Sequence, residues 1–186
     1  MAWKFAMNGV FKMLELIKKI EQWAEDRNII RGSEPIDQAM KLFSEFGELA
    51  DNVGKGRDCR DDIGDVFVVL VIICKQCDVD INSHYQGSES SWGVKTLTRC
   101  LAEFLSRLVY DLDHYKEDVD GQLIQALSHL SGIAELTGST LEECVQIAYD
   151  DIKDRKGIMS GGIFIKESDP VYAQVIAEIE ANHHVG

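Results

Sequence analysis

The chain has 186 residues, of which 45% are hydrophobic, and its formal net charge is -13 at pH 7. This length suits one sizeable domain with a packed core. Proteins that bind polymeric nucleic acid usually carry a basic patch, whereas no lysine and arginine cluster here exceeds two or three residues. We therefore expect no nucleic-acid polymer as a partner. A small phosphorylated ligand stays open, because a divalent cation can bridge carboxylates and phosphates.

The cysteine count and the length of the apolar runs bear on the cellular compartment in which the protein is expected. Five cysteines form an odd set without a recognisable secretory leader, which is typical of a reducing environment. The longest apolar run, 66–74, is too short to cross a bilayer. We therefore expect a cytoplasmic protein that has no membrane partner.

Apolar residues recur at helical spacing along most of the chain. Ser33 is the expected N-cap of the second helix, with Glu34 and Pro35 in its first turn. Gly138, Ser139 and Thr140 predict the end of one helix and the capped start of another. The predicted helices span approximately 10–27, 35–52, 58–77, 94–115, 119–136, 141–156 and 170–181, and a polar loop is expected at 82–93.

Two segments allow more than one interpretation. The centre of the third segment, 63–74, is apolar on all sides, so that a buried strand is possible, but its length of about five turns favours a central helix. Near the end, Gly157, Gly161 and Gly162 separate two short apolar stretches. These stretches predict either a small hairpin or an extended flap.

The middle of the chain suggests a degenerate internal duplication. Ser44-Glu45-Phe46 and its helix are similar to Ala102-Glu103-Phe104, and the helix that follows each is similar in length and apolar content. Ser106 stands where Glu48 would be, so the second copy lacks the acidic partners. The expected fold is one all-α, bundle-like domain over 1–186. Its expected parts are catalytic helices at 10–80, a second helical half at 94–156, and a C-terminal flap and helix at 157–186.

Two acidic pairs carry the predicted chemistry. Glu45 and Glu48 lie three residues apart, and Asp62 and Asp65 repeat this spacing on the next helix. The short linker favours antiparallel neighbours, so the four carboxylates would converge. Oxygen ligands favour Mg²⁺, with Mn²⁺ as a possible substitute. Gly64 weakens its helix and therefore suggests a close approach by another element. The alternative is that these acids are ordinary solvated side chains on exposed helix faces.

At these residues the chain resembles the MazG-like all-α nucleoside triphosphate pyrophosphohydrolases of the phage type. Their signature is ExxE followed by [E/D]xxD, preceded by QxxK on the first acidic helix. Here the pattern reads Gln38-xx-Lys41, Glu45-xx-Glu48 and Asp62-xx-Asp65. The first helix with Trp23 and Arg27, and the closing segment 148–157, are also similar. The likeness covers approximately 10–167.

The resemblance implies an Mg²⁺-dependent hydrolysis of (deoxy)nucleoside triphosphates to monophosphate and pyrophosphate, in nucleotide-pool control or housecleaning. Independently of the resemblance, the long set of apolar helices suggests a homo-oligomer, a dimer or a tetramer, to which the helix after Pro170 would contribute. The metal and catalytic residues carried over from the family are Glu45, Glu48, Asp62 and Asp65. The substrate-binding residues would be Lys41, Lys153, Arg155 and Lys156 for the phosphates, and Gln38 and Trp23 for the nucleoside.

Other interpretations of these residues stay open. Lys153, Arg155 and Lys156 would also suit a helix C-terminus, and Trp23 would suit a core position. Ser44 and Asp150 depart from the family, which usually has Glu and Asn there. These departures motivate one alternative function, a catalytically weak interaction protein that retains the fold. The other alternative is a hydrolase of a nucleotide-like metabolite or an alarmone.

Overall fold

The computed structural model of the chain describes residues 2–84, 92–114 and 119–183, and the side chains of 11–82, 92–112 and 119–181. Its helices are α1 (Ala2–Asp26), α2 (Ile29–Gly32), α3 (Pro35–Lys55), α4 (Arg60–Gln76), α5 (Val94–His114), α6 (Val119–Leu136), α7 (Leu141–Ile152) and α8 (Tyr172–His183). A short 3-10 helix spans Ile81–His84, and two strands, β1 (Gly157–Ser160) and β2 (Ile163–Lys166), form a hairpin. The expected all-α class is therefore confirmed for these residues.

Helix α4 lies at the centre of the fold. Its residues from Val66 to Cys74 are all buried, as expected for a helix that neighbours cover on every side. It packs against α1, α3, α6 and α7. The strand interpretation of this segment was wrong, because the surrounding helices supply apolar contacts on all its faces.

The acidic helices α3 and α4 are antiparallel neighbours. Asn52, near the end of α3, donates a hydrogen bond of 2.7 Å to Asp62, near the start of α4. Gly56 ends α3 with a positive φ of 65°, which permits the short turn between the helices. A second helical hairpin, α5 and α6, packs on the first through α3 and α4. Its derivation from a duplication stays a prediction.

Gly64 lies where α4 and α7 cross. A Cβ added there would meet the carbonyl oxygen of Cys144 and would lie 2.7 Å from the Cβ of Ala148. The close approach expected from this glycine is therefore confirmed. It sets the depth at which the acidic start of α4 lies against α7.

The hairpin is joined to the segment between α1 and α3. Met159 donates its backbone N–H to the carbonyl of Arg27 at 2.8 Å, and the side chain of Asn28 donates to the carbonyl of Met159 at 2.9 Å. Farther along, the N–H of Gly162 bonds the carbonyl of Gly32 at 2.8 Å. The hairpin interpretation of 157–165 is thus confirmed, and the hairpin is held through Met159 in β1 and through Gly162 in its turn.

Several predicted boundaries were wrong for local reasons. Ser33 ends α2, which the periodicity did not predict, and Glu34 is the N-cap of α3. Helix α1 begins at Ala2 instead of Val10, α3 continues to Lys55, and α4 begins at Arg60. Helix α7 ends at Ile152, and the carbonyl groups of Lys153 and Arg155 just after this end accept hydrogen bonds from the guanidinium of Arg27. The capped start at Thr140 is confirmed. Most of the predicted polar loop, 85–91, lies outside the described residues.

No described helix is both long enough and apolar enough to cross a membrane.

Candidate functional site

A cavity of about 690 Å³ opens between α1, α3, α4, the end of α7 and the hairpin. Its walls combine three kinds of side chain. The acidic residues are Asp37, Glu45 and Asp65, the basic residues are Lys41, Arg155, Lys156 and Lys166, and the apolar residues are Trp23, Ile29, Val68, Val69, Ile72, Ile152, Met159 and Phe164. Gln38 and Gly162 complete the lining.

Glu45 and Asp65 are the two predicted metal ligands that line the cavity. Glu45 is 94% buried, being 6% exposed, and its carboxylate pairs with Lys41 one turn earlier. Burial, followed by the charges of Glu45 and Asp61, raises the pKa of Asp65 to about 7. A carboxyl in this position resists ionisation, because nearby negative charge and low polarity both disfavour its charged form.

The other two predicted metal ligands are less closely placed. Asp62 is half-buried, and its burial raises its pKa against the opposing hydrogen bond from Asn52. Glu48 is exposed and does not line the cavity. Within residues 2–84, 92–114 and 119–183, no group of three or more His, Cys, Asp and Glu side chains is arranged to hold a metal ion. The expected convergence of all four carboxylates is therefore not present with the side chains in this arrangement.

The chemistry of the donor set nevertheless suits a hard cation. Glu45, Glu48, Asp62 and Asp65 offer only oxygen atoms, and they project from two adjoining helices. The pKa of Asp65 is raised first by burial and then by the negative charges of Glu45 and Asp61, which a bound cation would offset. In the structure the ammonium of Lys41 pairs with one carboxylate oxygen of Glu45, and Asn52 donates to one carboxylate oxygen of Asp62.

Only three of the four predicted phosphate-binding side chains lie at the cavity. Lys41, Arg155 and Lys156 line the cavity, whereas Lys153 does not. Each has a carboxylate partner: Lys41 has Glu45, Lys153 has Asp150, Arg155 has Asp151, and Lys156 has Glu167.

Asp150, the acid that departs from the family pattern, lies beside Lys153 and not in the cavity lining. Its hydrogen bonds from Lys153, at 2.6 Å, and from Gln146 hold its pKa below the ordinary value. The charge that Asp150 adds is therefore neutralised on the exposed face of α7. It does not face a ligand in the cavity.

Gln38 is held in one orientation by a buried hydrogen-bond network. The hydroxyl of Ser33 donates to the carbonyl of Ile29 at 2.7 Å, so its oxygen is left as an acceptor. That oxygen accepts from the side-chain amide of Gln38 at 2.9 Å and from that of Gln76 at 3.2 Å. The carbonyl oxygen of the Gln38 side chain is consequently the part of the amide that is left for a ligand.

Trp23 lines the cavity but is already engaged. Its indole N–H donates to the carbonyl of Ile152 at 2.9 Å, and the guanidinium of Arg27 lies 5.0 Å from its ring centroid. Arg27 also donates to the carbonyl groups of Arg155 and Lys153 at 2.7 and 2.9 Å. Trp23 therefore supports the cavity wall, in agreement with the interpretation that gave it a packing role.

Sequence reasoning missed the hairpin as a wall of the cavity. Phe164 and Lys166 alternate along β2 and line the cavity, as does Gly162 in the turn before it, while Ile163 is 67% exposed on the opposite face of the strand. The period of two along this strand was the available signal. This signal could not predict that the strand lines a cavity, because the position of the hairpin depends on contacts with Arg27, Asn28 and Gly32, which are far away in the sequence.

The comparisons with known proteins give one partial likeness. Over 68 residues the chain is 53% identical to an 18.2 kDa protein of the rep–hol intergenic region of Haemophilus phage HP1 (strain HP1c1). The match covers 36% of this chain and 42% of that protein, so the chain spans well under two thirds of its relative. No family model matches the chain. No solved structure matches it either.

Proposed function

We propose that the chain is an Mg²⁺-dependent nucleoside triphosphate pyrophosphohydrolase. The observation that carries this proposal is the cavity of about 690 Å³ in which the acidic residues Glu45 and Asp65 meet basic and apolar walls. A nucleotide suits such a cavity, because the faces of its base stack on apolar side chains, its phosphates bind cationic side chains, and carboxylates can hold the Mg²⁺ that accompanies the phosphates. The likeness of the sequence motifs to the MazG-like enzymes supports the same assignment. The partial likeness to a phage protein supports only the phage context of this proposal.

In this proposal Glu45, Glu48, Asp62 and Asp65 hold Mg²⁺, which when bound neutralises charge on the triphosphate. Glu45, buried at the cavity wall, orients a water molecule and accepts its proton as the water oxygen attacks the α-phosphorus. The bond between that phosphorus and the bridging oxygen breaks, and pyrophosphate leaves with the bond's electron pair. Arg155 and Lys156 offset the charge that develops on the leaving group.

The test is a product assay with each common NTP and dNTP, in the presence of Mg²⁺ or EDTA. We expect monophosphate and pyrophosphate in equal amounts, and no product with EDTA. Glu45→Gln and Asp65→Asn should each lower kcat at least about 100-fold, as expected for a residue that acts in the transition state. Asp51→Asn is the control, because Asp51 lies on α3 but is exposed and paired with Lys55.

A second candidate function is a catalytically weak interaction protein. Two observations favour it. Glu48 is exposed outside the cavity, and the carboxylate of Glu45 is already paired with Lys41. Under this alternative the wild-type chain releases no product from any common nucleotide although it binds Mg²⁺. A hydrolase of a nucleotide-like metabolite or alarmone would instead be inhibited by common nucleotides without cleaving them.

We also propose that the chain forms a homo-oligomer, a dimer or a tetramer. Apolar residues of α8, among them Val175, Ile176 and Ile179, remain only half-buried in the single chain. A second chain would cover them. Light scattering on the full chain and on a chain ending at residue 169 tests this, since loss of α8 should lower the molecular mass of the assembly.

A further inference from the structure

Lys166 is distinguished from the other cations of the cavity. Lys41, Arg155 and Lys156 each have a carboxylate partner. The ammonium group of Lys166 has no hydrogen-bond or ion-pair partner among the residues that the structure describes, although it lines the same cavity. An anion that enters the cavity can therefore bind Lys166 without first displacing an acidic side chain.

Phe164 and Trp23 both line the cavity, but they differ in how far the rest of the chain already engages their rings. The Trp23 ring is covered by Arg27, and its N–H is used by Ile152. Phe164 projects into the cavity from β2, where its ring lies against Gly157, and a Cβ added to Gly157 would come within 2.6 Å of the ring carbon Cζ. Glycine at 157 thus leaves room for the Phe164 ring, which a side chain at position 157 would displace.

We propose that the inner face of β2 is the nucleotide-binding wall, on which Phe164 stacks against the base and Lys166 binds the phosphate chain. This inference rests on the proposed function and names residues to which the sequence motifs assign no role. Phe164 and Lys166 are two positions apart on one strand, so their Cα atoms are separated by roughly 7 Å. The four-carbon stem of the lysine extends its reach beyond this distance.

The hairpin is able to act as a fixed wall. Its pairing places Met159 opposite Phe164 and Gly157 opposite Lys166, and Met159 is tied to Arg27 and Asn28. Gly161 and Gly162 at the tip both have positive φ, which suits a two-residue turn that matches the twist of the strands. The binding face is consequently preorganised before a ligand enters.

Calorimetric titration of the full chain with three kinds of probe separates the two contacts. The probes are α,β-methylene analogues of the common NTPs and dNTPs, the matching nucleosides, and inorganic tripolyphosphate. Lys166→Gln should weaken binding of the analogue and of tripolyphosphate about 10-fold but leave nucleoside binding unchanged, and Lys166→Arg should restore it. Phe164→Ala should weaken binding of the analogue and the nucleoside about 10-fold and leave tripolyphosphate unchanged.

Ile163→Ala and Lys95→Gln are the matched controls. Ile163 lies on the same strand but on its exposed face, and Lys95 is an exposed lysine of α5 outside the cavity. If both Phe164→Ala and Lys166→Gln bind all three probes as tightly as the wild type does, the inference is overturned. The proposed function would be unaffected by that result. A wild-type chain that neither binds nor cleaves any nucleotide of the panel would overturn the proposed function, and the inference with it.

Discussion

At the scale of single residues, Asp65 shows how burial and charge oppose each other in the cavity. Its carboxyl is held between apolar neighbours of α4 and the acidic side chains of Glu45 and Asp61. The folded chain keeps the proton of Asp65 up to about pH 7, whereas the unfolded chain releases it near the ordinary value of 3.8. The folded state thus binds more protons in this interval, so this group makes the free energy of unfolding fall as pH rises from about 4 to about 7.

Asp65→Asn should remove this pH dependence. In EDTA the variant should gain stability relative to the wild type as pH rises, by on the order of 2 kcal/mol at pH 8 after allowance for partial solvent screening. Urea unfolding at pH 5 and pH 8 measures the difference. Asp58→Asn is the control, because pairing with Arg60 lowers the pKa of Asp58 and its contribution is constant over this range. Equal pH profiles for the wild type and Asp65→Asn would show that the carboxyl titrates normally.

The residues of the site were predictable in part from the sequence. Spacing and apolar context were sufficient to select Glu45 and Asp65, because both lie where buried helix faces meet. The exposure of Glu48 was not predictable from the sequence. Which side of α3 faces solvent depends on how the whole helix packs against its neighbours. Lys166 was missed for a related reason, because a lysine in a short strand acquires a cavity only through tertiary contacts.

At the scale of elements, the contact between α4 and α7 determines how closely the acidic helix approaches the end of α7. Gly64 permits this contact, and any side chain would collide with the backbone at Cys144. Because α4 is buried on all sides, it cannot move away without disturbing α1 and α3 as well.

Gly64→Ala should lower the free energy of unfolding by about 3 kcal/mol, since overpacking a rigid backbone contact forces the helices apart. Gly47→Ala is the matched control. Gly47 also lies within a helix, but a Cβ added there meets no atom within 4 Å. That change should instead raise the free energy of unfolding by about 1 kcal/mol through helix propensity. Thermal or urea unfolding compares the two, and a stable Gly64→Ala variant would contradict the packing argument.

Elements were more predictable than their ends. The long periodic helices α3, α5 and α6 follow their apolar spacing closely. The short α2 and the early end of α7 depend on Asn28, with its left-handed φ of 56°, and on the bonds from Arg27 to the end of α7. Such contacts join residues far apart in the chain, and local pattern does not contain them.

At the scale of the whole molecule, the charge of -13 produces repulsion that salt should relieve. A site for Mg²⁺ would add a stabilisation that is separate from screening, because a ligand that binds only the folded state stabilises it by mass action. Stabilisation by bound Mg²⁺ should depend on the carboxylates of the cavity, whereas screening of the net charge should not.

The Tm should therefore rise more with MgCl₂ than with NaCl at matched ionic strength. The excess corresponds to about 2.7 kcal/mol when free Mg²⁺ is about 100 times its Kd. Asp65→Asn should keep the response to NaCl and lose this excess. Differential scanning calorimetry of both chains measures it, and an equal response to the two salts in the wild type would argue against a specific metal site.

The bonds from Trp23, Arg27 and Asn28 to the end of α7 and the hairpin join residues 126 to 131 positions apart. Contacts of such long sequence separation form late in folding, because the chain between them must first be ordered. The helical hairpins α3–α4 and α5–α6 close over much shorter loops. A refolding chain should accordingly acquire most of its helical signal before the cavity exists. During synthesis, the cavity cannot form until residue 166 has left the ribosome, so the chain gains the ability to bind a ligand only after its helical hairpins have been made.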